Sequence, residues 1–520
     1  MAVPVYLTQS LHRAVQQRPD EPATICGERV RSVREVADRV ARLAGGLRGR
    51  GVEPGERIAV LALNSDRYHE AFYAAWWLGA VANPVNIRWS ADEIAFALDD
   101  AGAAVLLVDD AFAALVPALR ERCPRLRLLI HCRDEHEGAG TGEVPVDGAI
   151  DYEELIASAA PAPDTRTGDT SLAALLYTGG TTGRPKGVMV THRGLMTSTL
   201  GGLVVRRPPL TGGPSLVAGP MFHIAALVGW MGQNVLGGSH VFLPKFTPEA
   251  LLAAVERHRI TALSVVPTML RMLLDHPDTA HRDLSSVRTI GYGASPMPEP
   301  LLKRAMEVFP QGEFSQAYGM TETAVVTQLS AADHRTGGRL LRSAGRAAPH
   351  CEVKVVGPDG REVERGRTGE VVCRGDNVTP GYWNRPEETA AALRDGWLHT
   401  GDAGYLDEAG YLFVVDRIKD MIITGGENVY SAEVEAAIDT HPAVASCAVI
   451  GLPDAEWGER VHAVVVLRPG ADATEDGIRA HAKQRIAGYK APRTVEFAAA
   501  LPLSPVGKVL KRQLRADRTN

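Results

Sequence analysis

The stretch Leu172–Gly187, LAALLYTGGTTGRPKG, decides the reading of this chain. Its first seven residues, LAALLYT, have the pattern of a short, buried strand. That strand runs directly into four glycines, two threonines and Lys186. Glycines let backbone N–H groups approach phosphate oxygens closely, threonine hydroxyls add donors, and a lysine adds positive charge. The P-loop of nucleotide triphosphatases needs G-x-x-x-x-G-K followed by Ser or Thr, whose hydroxyl holds magnesium. Here Pro185 precedes Lys186 and Gly187 follows it. No hydroxyl stands at the metal position, and Pro185 contributes no backbone donor. The loop is therefore a phosphate cradle of another kind, and its metal ligand must come from elsewhere in the chain.

Outward from this loop, strand and helix patterns alternate. RIAVLAL (57–63) and AAVLLVDD (103–110) read as strands, residues 67–79 as a helix, and the polar, glycine-rich 135–148 as a loop. HVFLP, ITALSVVP, VRTIGYGA and EFSQAYG follow as strands, separated by helical segments such as 298–309. In TPEALLAAVERH, Thr247 is placed as N-cap and Pro248 at the first helical position, with Leu251, Leu252 and Val255 on one face. This alternation predicts an α/β fold with mostly parallel, helix-covered sheets. From about 351 the pattern changes to short strands with turns, which predicts a β-rich subdomain. The last hundred residues alternate again, with SAEVEAAIDTHP read as a helix capped by Ser431. The seam falls in VDRIKDMIITGG, giving a large domain over 1–416, a hinge over 417–420 and a small mobile α+β domain over 421–520.

Composition narrows the class. The chain has 520 residues, 45% hydrophobic and 23% charged, with a formal net charge of −6. That length exceeds what one hydrophobic core supports. No basic excess points to nucleic acid and no polybasic run to an anionic membrane. The longest apolar stretch, AFYAAWWLGAVANPV, is too short for a membrane span. The six cysteines form no C-x-x-C pair, so scattered buried thiols in a reducing compartment are expected. The N-terminus has no signal-peptide pattern, and the expected location is the cytoplasm.

YTGGTTGRPKG resembles the signature loop of the adenylate-forming superfamily, which includes acyl-CoA synthetases, aryl-CoA ligases, firefly luciferase and the adenylation domains of peptide synthetases. Further matches follow in that family's order, from about residue 10 to 515. YGMTE (318–322) is similar to its second core motif, GYGASP (291–296) to the segment bordering adenine and acyl group, and HTGD (399–402) to its T-G-D. DRIKDMIITGGENVY (416–430) is similar to the crossing into the C-terminal domain, and LPLSPVGKVLKRQL (501–514) to the terminal motif.

The resemblance implies roles. Lys508 is the catalytic lysine, with Thr321 at the α-phosphate, Glu322 as the magnesium ligand and His223 beside the reacting acid. ATP falls to Thr178, Gly179, Gly180, Thr181, Thr182, Gly183, Lys186, Ala294, Ser295, Gln316, Ala317, Tyr318 and Gly319, with Asp402 on the ribose hydroxyls and Arg417 on ribose or phosphate. The acyl pocket takes His223, Ala225, Ala226, Gly229, Gly291, Gly293 and Met320. Gly425, Gly426, Glu427, Trp457 and Lys490 face CoA, and Lys419 is the hinge. Mg2+, ATP and CoA are the implied cofactor and co-substrates.

The stretch GPMFHIAALVG (219–229) carries no aspartate to meet a substrate amine. An uncharged pocket favours a carboxylic acid without an α-amino group, fatty or aromatic. CoA is the favoured acceptor, because no carrier domain follows the lysine motif. The alternative is a stand-alone enzyme that loads the acid onto a carrier protein's phosphopantetheine. The expected partners are the acid, ATP and CoA, with a homodimer as the assembly considered, and neither nucleic acid nor an integral membrane segment.

Overall fold

The structure is a computed structural model, and it describes residues 5–133, 146–178, 184–206, 213–295, 297–425, 427–503 and 509–519. Alternating strands and helices build two large, mostly parallel sheets. The seven-stranded sheet runs in the order Ile150–Asp151, Leu128–Cys132, Ala103–Asp109, Arg57–Leu61, Val81–Pro84, Leu172–Thr178 and Lys186–Thr191. Its strands are parallel except for the last, which turns back antiparallel on Leu172–Thr178 with Thr178 opposite Lys186. The phosphate loop thus closes a hairpin. A P-loop leads into a helix, so the hairpin removes the helix N-terminus that such a loop relies on.

The nine-stranded sheet runs Arg346–Ala347, Thr327–Leu329, Glu313–Tyr318, Thr289–Gly293, Ala262–Val265, Ser215–Val217, His240–Phe242, Pro22–Cys26 and Arg29–Ser32. Its inner strands are parallel. Helices fill the space between the two sheets. The helix Asp66–Leu78 is buried along its whole length, charged and aromatic residues alike. Trp76 stacks on Trp230 of the helix Ile224–Leu236, with ring centroids 5.7 Å apart. Thr247 caps the helix Pro248–His258 as read from sequence, accepting from the Ala250 N–H.

The β-rich region is a five-stranded sheet. Glu352–Val356, Gly369–Arg374 and Trp397–Leu406 are antiparallel neighbours, and Leu393–Arg394 and Leu412–Arg417 both pair with Trp397–Leu406. The last sheet uses only residues 422–497, with a separate apolar core around Ile422, Val434, Val449 and Val465. One local reading is corrected here. Ser431 is the first residue of the helix Ser431–Asp439, and Tyr430 holds the cap position. The capping acceptor comes from afar: the Asp416 carboxylate accepts from the Ser431 hydroxyl at 2.6 Å and from the Ala432 N–H at 3.2 Å. A buried carboxylate aimed at the helix N-terminus does what a local Ser cap does and adds favourable charge to the dipole.

All six cysteines are buried and none is in a disulfide among the described residues. Among the described residues, no helix is long and apolar enough to cross a membrane.

Candidate active site

Three sheets converge on one place. The parallel strands Thr289–Gly293 and Glu313–Tyr318 pair Gly291 with Ser315 and Gly293 with Ala317. Their C-terminal ends open into the turns that carry Ala294 and Met320–Glu322. Ligands of open α/β sheets bind in such crevices. The backbone there is tight. A Cβ on Gly293 would stand 2.4 Å from the Ala317 carbonyl oxygen, and Ala294 adopts φ 66°, strained for a non-glycine residue. Gln316 lies on the same strand, opposite Tyr292 and Leu329.

Asp402 and Arg417 come from the five-stranded sheet, where they are direct partners across neighbouring strands. Asp402 is buried. Its Oδ1 meets Arg417 Nε at 2.6 Å, and its Oδ2 accepts from the Tyr318 hydroxyl at 2.6 Å. Burial and the Asp402 charge push the Tyr318 phenol well up, so it stays a donor. A carboxylate has about four lone-pair sites, which suits it to accept from several donors at once.

The opposite end belongs to Glu322 and Lys186. Glu322 is buried, and its Oε1 accepts from the Tyr382 hydroxyl at 2.8 Å. Lys186 Nζ stands 5.3 Å from the centroid of the same Tyr382 ring, a cation–π distance. Thr321 and Glu322 line a small cavity of about 10 Å³ together with Met189, Thr191 and Thr379. Near one water in size, it is walled in part by hard oxygen donors. Among the described residues, no cluster of three or more His, Cys, Asp or Glu side chains could hold a metal by itself. That donor set fits magnesium, which typically takes one or two carboxylates and completes its shell with water and substrate phosphate.

On the acyl side, His223 is the N-cap residue of the helix Ile224–Leu236 and packs on Phe222 with ring centroids 4.2 Å apart. Ala225 is exposed, Ala226 and Gly229 are half-buried, and Gly229 approaches Ser264 Oγ. Met320 and Tyr318 both pack against the buried cluster Val326, Cys351, Cys373 and Leu398.

The proposed CoA face lies in the last sheet. Gly425 donates its N–H to the Trp457 carbonyl at 2.9 Å, and its φ of 60° together with the indole leaves no room for a side chain. Trp457 is 36% exposed, so it is not a core residue, and the Arg493 guanidinium lies 4.3 Å over its ring. Lys490 is tied to both oxygens of Glu433 at 2.8 Å. Glu427 begins the strand Glu427–Val429, opposite Thr424. Lys419 sits in a single helical turn, Ile418–Asp420, where burial and then the neighbouring Arg417 lower its pKa. Gly179, Gly180, Thr181, Thr182, Gly183, Gly426 and Lys508 lie outside the described residues.

Sequence reasoning passed over TPGYWNRPEET (379–389), which contacts both Glu322 and the hairpin. Its signal was a Gly-Tyr-Trp run before a helix-starting Pro386.

The AMP-binding enzyme family profile matches residues 11–383. The chain belongs to this family. The C-terminal domain of AMP-binding enzymes matches residues 433–508. A feruloyl-CoA synthase from an Amycolatopsis species is 40% identical over 97% of each chain. A fatty acid–[acyl-carrier-protein] ligase, ScoC from Streptomyces coeruleorubidus, is 36% identical over 98% of this chain and 95% of its own. The ATP-bound crystal structure of MatB from Rhodopseudomonas palustris superposes with a TM-score of 0.89 at 30% identity over 99% of both chains. The AMP-binding enzyme therefore has the adenylate-forming α/β fold, with a large N-terminal and a smaller C-terminal domain, and belongs to the CoA-ligase branch.

Proposed function

We propose that this AMP-binding enzyme is an ATP-dependent acid–CoA ligase acting on a fatty or aromatic monocarboxylic acid. A carboxylate is a poor acyl donor because its leaving group would be oxide. The substrate carboxylate attacks the α-phosphorus of ATP, pyrophosphate departs, and an acyl-adenylate forms. The CoA thiolate then attacks the acyl carbonyl, and AMP departs.

The observation that supports this reading is that Tyr382 touches both Lys186 and Glu322, while Tyr318, four residues before Glu322, is bonded through Asp402 to Arg417 of a second sheet. Asp402 receives the ribose hydroxyls, the Tyr318 ring flanks adenine, and Thr321 meets the α-phosphate. Thr178, the 179–183 loop and Lys186 hold the departing pyrophosphate. Lys508 supplies a pre-placed cation to the phosphoryl oxygens. Catalysis of this step is positioning plus electrostatic stabilisation. Magnesium, held by Glu322, would neutralise phosphate charge. Residues 417–420 serve as the hinge about which 421–520 turns to bring Gly425 to Glu427 and Trp457 toward CoA.

An uncharged acyl side with His223, Ala225, Ala226, Gly229 and Gly291 supports a monocarboxylic acid. The feruloyl-CoA synthase likeness supports an aromatic acid and CoA; the ScoC likeness supports a fatty acid and a carrier protein. The test is a panel of fatty and aromatic acids with ATP, magnesium and either CoA or carrier-bound pantetheine, following AMP release. Thioester on CoA with AMP formation is the expected result. AMP release that depends on carrier protein overturns the acceptor, and absence of AMP with every acid overturns the reaction. The same reading puts the enzyme in the cytoplasm and includes a homodimer, which light scattering tests.

A further inference from the structure

The segment Thr379–Thr389 stitches together two elements far apart in sequence. On one side it grips the strand after the phosphate loop. Thr379 Oγ1 donates to the Met189 carbonyl at 2.6 Å, the Met189 N–H donates to Gly381 at 3.1 Å, and the Trp383 N–H donates to Gly187 at 2.8 Å. On the other side, the Thr379 N–H donates to the Glu322 carbonyl at 2.7 Å. Its far end is pinned as well, with Trp383 Nε1 donating to the Asp100 carbonyl at 3.1 Å. Gly381 permits this path: at φ 142° and with Thr389 Cγ2 only 2.4 Å from where a Cβ would sit, a larger residue does not fit.

Tyr382 stands in the middle of this clamp, bridged to Val188 and with its N–H bonded to Thr389 Oγ1 at 2.9 Å. Its hydroxyl donates to Glu322 Oε1 and its ring face lies under Lys186 Nζ. A cation and a carboxylate on adjacent elements would gain by closing into a direct ion pair. Such a pair would consume both the phosphate-binding charge and the metal-binding oxygen. An aromatic ring between them holds each in place by a weaker contact of the right sign.

We propose that Tyr382 is the positioning residue of the phosphate end, fixing the Glu322 carboxylate through its hydroxyl and Lys186 through its ring. The assignment rests on the reading of Glu322 as a magnesium ligand. Carboxylate ligands are oriented by outer hydrogen bonds, and losing such a partner typically weakens metal affinity by about 10–100-fold.

The experiment uses the full chain and manganese as the paramagnetic stand-in for magnesium, titrated by electron paramagnetic resonance with a non-hydrolysable ATP analogue present. Metal-free analogue binding is measured separately by calorimetry. Tyr382→Phe removes the hydroxyl and keeps the ring. It is expected to weaken manganese binding about 10–100-fold while leaving metal-free analogue affinity near wild type. Tyr382→Leu is expected to weaken both. In steady state, Tyr382→Phe should recover most of its kcat at high magnesium, a split that general loosening of the fold does not produce. Unchanged manganese affinity in Tyr382→Phe overturns the proposal. If Tyr382→Phe also lowers thermal stability, the double variant with Glu322→Gln decides. A further loss of manganese affinity beyond Glu322→Gln alone overturns the role, and no further loss supports it. A wild-type enzyme that binds no manganese with the analogue rejects the metal reading of Glu322 itself, a distinct outcome.

Discussion

The two ends of the proposed nucleotide crevice are built differently. At the ribose end, Asp402, Tyr318 and Arg417 are already bonded to one another, with both Asp402 oxygens engaged at 2.6 Å. Their backbones belong to strands, and Asp402 and Arg417 are register partners. At the phosphate end, Lys186 rests on the Tyr382 ring and Glu322 accepts from the Tyr382 hydroxyl. One aromatic side chain there touches both charges. The difference suits the reaction. On the proposed reading, ribose hydroxyls are neutral and unchanged in both half-reactions, so a fixed acceptor suits them. The phosphate end would accept pyrophosphate, release it and tolerate the charge that develops in between.

The contrast breaks or sharpens under substitution. The largest effect is expected for Lys508→Ala, which should lower acyl-adenylate formation by roughly 10²–10³. Reaction of supplied acyl-adenylate with CoA should survive, and rapid-quench assays of the two half-reactions measure both. Equal loss in both would reject a role confined to the phosphate chemistry.

Next comes the ribose end. Asp402→Asn removes the charged acceptor and should raise KM for ATP roughly 10–100-fold, the range for hydrogen bonds to a charged group. Because the ribose is unchanged in the transition state, kcat should fall much less. A kcat loss equal to that of Lys508→Ala would erase the distinction between the ends.

A smaller effect, about tenfold, is expected from Lys419→Pro. Fixing φ in the turn Ile418–Asp420 should slow thioester formation by that factor and adenylation by less. Similar slowing of both steps would place the hinge elsewhere.

The smallest concerns the strand Thr289–Gly293. His334 accepts from the Tyr292 hydroxyl at 2.9 Å, and Tyr292 lies between Gly291 and Gly293. Burial holds the His334 imidazole below its ordinary value. With the folded value depressed, its stabilising contribution is full above about pH 6.5 and declines as the pH falls. His334→Gln should flatten the decline of Tm below that pH by an amount on the order of 1–2 °C. Parallel wild-type and variant curves would remove His334 from the account.

Much of the fold is legible because its signals are local. LAALLYT is a strand because its short apolar run must be buried between neighbours, and the structure gives the strand those bounds. Thr247 and Pro248 start their helix because cap and ring chemistry act within four residues. Ser431 misled for the opposite reason: its sequence pattern is that of a local cap, while the acceptor, Asp416, arrives through a different sheet. Resemblance alone sets Lys490 at CoA, and only the folded chain brings Glu433 against it. Tyr382 was illegible for the same reason, since its hydroxyl partner lies 60 positions away.

The sequence by itself determined the alternating α/β architecture, the non-P-loop character of YTGGTTGRPKG and the need for a metal ligand outside it. Composition, period and hydrogen-bonding capacity are properties of neighbouring residues, so they survive without a fold. Only the tertiary structure decided that the loop closes a hairpin, that Asp402 pairs with Arg417 and Tyr318, and that Tyr382 spans from Lys186 to Glu322. These contacts join separate strands and turns, and their energies depend on distances that packing alone sets.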